Sequence, residues 1–158
     1  VSTQSTGINH MAFQEMFQRY LNQGNLLAFV VYQGSTYVDS LLYNVDRSAS
    51  NYFQVDPATI LDSIGSPEGI KYLQDYGVNL NQYRMRFVKT DHDDSLECDV
   101  IFLAGKAEKE QTDAPNGAFI FRTEKQTHIV VAYGNGQSNG PAYLKGVEFV
   151  QELIDAGY

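Results

Sequence analysis

The stretch Ala118–Gly157, AFIFRTEKQTHIVVAYGNGQSNGPAYLKGVEFVQELIDAG, decides the fold of this chain. Ala118–Thr123 and Thr127–Tyr133 are short apolar runs on either side of Glu124-Lys125-Gln126, which reads as a β-hairpin. A glycine-rich loop follows, Gly134-Asn135-Gly136-Gln137-Ser138-Asn139-Gly140. Pro141 then suits the first position of a helix, because its missing N–H has no partner there. The helix predicted over Pro141–Ala156 places Leu144, Val147, Val150 and Ile154 on one face.

The same grammar extends upstream. Phe13, Met16, Phe17, Tyr20 and Leu21 recur at helical spacing, which predicts an amphipathic helix over His10–Asn22 behind a polar arm, Val1–Asn9. Leu26–Tyr32 and Thr36–Tyr43 read as strands about a Gln33-Gly34-Ser35 turn. Asp56-Pro57 and Ser66-Pro67-Glu68 are helix-start signals, giving a short helix over Pro57–Ile64 and another over Pro67–Tyr76 closed by Gly77. Tyr83–Lys89 alternates and Glu97–Ala104 is nearly continuous in apolar residues, so both are strands about an acidic turn. Gly105–Gly117 is polar and reads as a long surface loop.

Consecutive strands joined by short turns pair antiparallel. The expected fold is therefore α+β: an antiparallel sheet of five or six strands, with N-terminal, middle and C-terminal helices packed mainly on one face. Residues 10–158 form one domain, large enough to bury about 68–70% of its unfolded surface. No apolar run approaches the ~20 residues of a membrane helix. Cys98 is the only cysteine, so no internal disulfide can form. Net charge is −8, and a phosphate backbone would meet repulsion, which disfavours nucleic acid as a partner. Arg84 and Arg86 are the best candidate for a local basic patch, set against the plainer reading of solvated or salt-bridged strand residues. A cytoplasmic location is slightly favoured; a secreted protein whose signal was removed upstream would have the same composition. Val1–Gly7 itself lacks the basic head and apolar middle of a signal peptide.

Four patterns bear on chemistry. Gly136-Gln137-Ser138-Asn139-Gly140 has the spacing of a turn that displays a catalytic serine, and His128 is the histidine offered as its base. Only 20 residues follow Ser138; they hold Asp155 but no histidine, and the parallel sheet of such enzymes is missing. Gly134, Gly136, Ser138 and Gly140 could instead present N–H groups to an anion at a helix start, although neither dinucleotide nor P-loop spacing is met. Asp91, Asp93 and Asp94 form an acidic turn that could hold a hard cation, although an EF-hand register would put Leu96 where glycine is required. Cys98 could be a nucleophile with His128 on a neighbouring strand as its base, but it alternates with Val100 and Phe102, which predicts a buried, unreactive thiol.

No cofactor is expected from these patterns, and the balance leans away from an enzyme. The expected function is a protein-interaction or assembly module, whether subunit, adaptor or inhibitor, with another protein or copies of itself as partner. The chain's 11 tyrosines suit such a role, since tyrosine supplies contact area at low rotamer cost with a polar tip. The alternative is an enzyme or small-anion-binding protein built on the Gly134–Gly140 loop.

Overall fold

Alternation across a pleated strand sends successive side chains to opposite faces, and the centre of this molecule is apolar on both. In the computed structural model, which describes residues 8–43, 52–106, 113–134 and 136–158, every residue of Thr127–Gly134 is buried. Residues 1–7 of the expected arm, 107–112 of the expected long loop, and Asn135 lie outside the described residues. Of the arm's last residues, Ile8 donates its N–H to the Tyr158 hydroxyl (2.8 Å), and the Asn9 side chain caps the first helix.

The elements in order are α1 (His10–Leu21), β1 (Ala28–Gln33), β2 (Thr36–Leu42), β3 (Val55–Asp56), a 3-10 turn (Ala58–Asp62), α2 (Pro67–Tyr76), β4 (Val78–Leu80), β5 (Tyr83–Asp93), β6 (Cys98–Ala104), β7 (Pro115–Arg122), β8 (Thr127–Gly134) and α3 (Asn139–Asp155). The strands form one antiparallel sheet in the order β2-β1-β8-β7-β6-β5-β4-β3, curled into a half-barrel.

Two expectations are corrected here. The sheet has eight strands, not five or six. The additions are β3 and β4, two and three residues long, too short for any period to register. Asp56, read as a helix cap, belongs to β3, and the segment after it is a 3-10 turn rather than an α-helix. Likewise Pro115–Gly117 belongs to β7 rather than to the loop, and β5 continues through Asp91–Asp93 rather than stopping at Lys89.

The second correction concerns the layers, because the helices do not share one face. α1 and α3 cover the face bearing Phe29, Val31, Val100, Phe119, Ile129 and Val131. Phe17 stacks on Phe29 at 5.4 Å, and Phe29 meets Phe149 at 4.7 Å. Arg19 joins the two helices through a two-pronged pair to Glu152 (2.6 and 3.0 Å), and the Tyr20 hydroxyl donates to the same carboxylate.

The opposite face carries Val30, Ile101, Ile120, Val130 and Ala132 and packs against Ile60, Leu61, Ile64 and Leu73 from the 3-10 turn and α2. Here the curl brings the two ends of the sheet together. The Tyr32 hydroxyl accepts from Val55 N–H (2.8 Å) and the Ser40 hydroxyl from Phe53 N–H (3.0 Å). Burial raises the Tyr32 hydroxyl to about 12, so it stays protonated.

Gly69 sets the seat of α2. A Cβ there would lie 1.9 Å from the Ser63 carbonyl oxygen, so only glycine lets the 3-10 turn abut the helix. Gly69→Ala is expected to cost roughly 1–3 kcal/mol, as overpacking does. This should appear as a melting temperature lowered by several degrees in calorimetry.

Candidate ligand cleft and basic patch

Register, rather than sequence proximity, assembles the polar side of the half-barrel. His92 pairs with Asp99, Asp99 with Arg122, Arg122 with His128, and His128 with Tyr32. These residues form one cross-strand row on the face that α2 partly covers. The neighbouring row, two residues further along each strand, is Thr90, Ile101, Ile120 and Val130.

Between α2 and these rows lies an open cleft of about 720 Å³. One wall is the 64–74 segment, with Ile64, Gly65, Ile70 and Lys71; the other is the Thr90–Ile101–Ile120 row, with His92, Asp99 and Arg122 at its rim. Arg122 reaches back across the chain. Its guanidinium donates to Gln126 at 2.9 Å, approaches Asp99 at 3.7 Å, and lies over Gly65, where a Cβ would come within 2.7 Å of its central carbon. Asp99 also holds His92 through Nδ1 at 3.0 Å. That hydrogen bond, with the nearby carboxylates of Asp99, Asp94 and Asp93, raises the His92 pKa above its ordinary value.

His128, deeper in the same row, is 1% exposed. Its Nδ1 lies 2.6 Å from the Gly34 carbonyl oxygen. A carbonyl can only accept, so Nδ1 carries the proton and Nε2 is left a buried acceptor without a partner among the described residues. Burial, together with the charge of Arg122, lowers its pKa, although the bond to Gly34 opposes this.

The residues singled out from sequence are distributed as follows. Ser138 is the N-cap residue of α3 and makes no side-chain capping bond. It follows the C-terminal end of β8 while His128 stands near the start. Six residue steps along the strand lead from His128 to Gly134, or roughly 20 Å at ~3.3 Å each, so Ser138 and His128 are not brought together. In the glycine-rich loop, Gln137 Oε1 accepts from Gly134 N–H at 2.6 Å, and its amide nitrogen donates to the carbonyls of Gly24 and Leu26. One of the loop's donors is thus already occupied, and the loop is tied to the connection before β1.

The acidic turn does meet the start of α3. Asp93 accepts from the Tyr143 hydroxyl at 2.6 Å and from Ser95 and Leu96. Burial opposes its ionisation, but these donors outweigh it and hold the Asp93 pKa below the usual range. Asp91 accepts from His92 N–H, and the Asp94 carboxylate lies 3.9 Å from His92 Nε2. Among the described residues, no three His, Cys, Asp or Glu side chains converge as metal ligands. Cys98 is buried, and burial pushes its thiol up to about 11.

A second feature stands at the other end of β5. Arg84, Arg86 and Lys106 are exposed and line an open hollow of about 360 Å³ with Tyr83 and Pro115. Arg84 and Arg86 alternate with buried Met85, so both point away from the second core. None of the three cations has an ion pair or hydrogen-bond partner among the described residues. Sequence inspection raised Arg84 and Arg86, but the cleft residues His92, Asp99 and Arg122 carry no spacing motif.

No known protein family model matches this chain, and no curated protein does. Among the described residues, no helix is long and apolar enough to cross a membrane.

The His92–Asp99 pair has a measurable signature. A histidine whose folded pKa is raised stabilises the fold below its unfolded value near 6.5, and that contribution is lost as pH rises through the folded pKa. NMR titration of the His92 ring should give a pKa above 6.5, and Asp99→Asn should bring it back towards that value.

Proposed function

We infer that this chain is a non-enzymatic protein-interaction module that binds an acidic segment of its partner, either another protein or a second copy of itself. The observation that carries this reading is the set of Arg84, Arg86 and Lys106, three exposed cations without an ion-pair or hydrogen-bond partner among the described residues, in a chain of net charge −8. Unpaired like charges held side by side repel one another, and a complementary surface relieves that repulsion. The hollow they surround is open to solvent and suits the side chains of an acidic strand or helix. Tyr83 lines the same hollow, and its hydroxyl donates to Asp113 (2.9 Å). Further support comes from the candidate nucleophiles: Cys98 is a buried thiol, and Ser138 stands about one strand length from His128.

The test is affinity capture from the native source with wild type and Arg84→Glu/Arg86→Glu compared side by side, quantified by mass spectrometry, with light scattering for self-association. A partner, or a dimer, is expected with wild type and should fall by roughly tenfold in the charge-reversed variant, as steering and rim contacts are lost. Equal recovery by both proteins, or a lone monomer with nothing enriched, would overturn the reading.

A further inference from the structure

We propose that the cleft between α2 and the sheet is a binding site for a small amphipathic carboxylate, whose apolar body lies on Ile64, Ile70, Ile101 and Ile120 and whose acid head is met by Arg122. None of these residues belongs to the basic patch at Arg84, so the inference stands apart from the interaction reading.

The cleft, at about 720 Å³, is within the ~300–1,000 Å³ range of small-molecule sites, which are typically apolar with a few placed polar groups. Its floor is dictated by pleat geometry: Ile101 and Ile120 are cross-strand partners on one face, opposed by Ile64 and Ile70. Lys71 and Gln74 stand on the α2 wall and Thr90 at the edge of the floor, while His92, Asp99 and Arg122 continue the sheet by one row and concentrate the polar groups at that end. A ligand filling this space therefore has an apolar length and a polar end.

The chemistry at that end selects the head group. Arg122 presents a planar fork that matches a carboxylate. Three contacts hold it ready: Gln126 at 2.9 Å, Asp99 at 3.7 Å, and the bare Gly65 backbone beneath it. The Asp99 contact is too long for a closed two-pronged pair, and that carboxylate is already engaged by His92 at 3.0 Å. Guanidinium donors thus remain for a third party. Ser66 and Pro67, where α2 begins, line the same wall, and the helix start adds partial positive charge.

The charge balance also says which anions do not fit. Asp99 faces the cleft alongside Arg122, Lys71 and His92, and Lys71 is held by Asp75 at 2.9 Å; the Asp91 side chain, in the row of Val100, is directed to the other face of the sheet. A doubly charged phosphate would meet the Asp99 carboxylate, with a single guanidinium, part of whose charge Asp99 already offsets, to balance its two charges. A singly charged acid matches that guanidinium. An ammonium head would face Arg122 and the α2 start, both positive.

The experiment is a titration of the isotope-labelled full chain, followed by amide NMR, with four probes: octanoate, 1-octanol, octylammonium and inorganic phosphate. The first three share one tail. Octanoate is expected to shift the amides of Gly65, Ile70 and Ile101 and to bind at least about tenfold tighter than 1-octanol, as a charge-assisted contact should. Arg122→Gln should abolish that preference while leaving 1-octanol binding unchanged. Gly65→Ala, whose added methyl would displace the guanidinium without touching the apolar floor, should weaken octanoate similarly with the fold retained by circular dichroism. Equal affinity of octanoate and 1-octanol for the wild type, no binding by either, phosphate binding as tightly as octanoate, or undiminished octanoate binding to Gly65→Ala would each overturn the proposal.

Discussion

The constraint on which this structure depends is that β8 and its neighbours are apolar on both faces, so each face must be covered independently. A sheet with one wet face needs a single layer of helices; this one needs two covers. The first is conventional: α1 and α3, locked by the Phe17–Phe29–Phe149 cluster and the Arg19–Glu152 pair. The second is composite. The sheet curls, short β3 and β4 extend it around, and the 3-10 turn and α2 fill the concavity. Gly69 makes this possible by letting the turn and the helix touch backbone to backbone.

The composite cover is also the origin of the cleft. β5 runs for 11 residues, while α2 and the connection before it shield only part of the concave face. Where the cover stops, the sheet continues, and the residues at that boundary change from isoleucine to the His92–Asp99–Arg122 row. The cleft is thus a boundary between two kinds of burial. Its rim is polar, with Arg122, Asp99 and His92, and its floor is apolar, with Ile101 and Ile120.

Much of the fold was legible in the chain and the cleft was not, for reasons that follow from length and register. α2 was readable to the residue because Ser66-Pro67 and Gly77 mark both ends chemically. The hairpins β1–β2 and β7–β8 were readable from alternation and turn residues. β5 was cut short because Asp91, His92 and Asp93 look like turn residues, yet they pair with Val100, Asp99 and Cys98. The two-sided cover has a signal in Ile129-Val130-Val131-Ala132, a run without polar alternation. The cleft had none, because His92, Asp99 and Arg122 meet only once three strands are in register. The glycine-rich loop drew attention for its spacing, whereas Gln137 binds its Gly134 N–H.

The seam of the half-barrel has a further consequence. Where the two edges of the sheet approach, the hydroxyl groups of Tyr32 on β1 and Ser40 on β2 stand in place of a ladder among the described residues. A ladder is written in the backbone, and no point substitution other than proline can delete it. A latch made of hydroxyls is written in side chains, so its strength can be retuned one oxygen atom at a time while the curvature of the sheet is left alone.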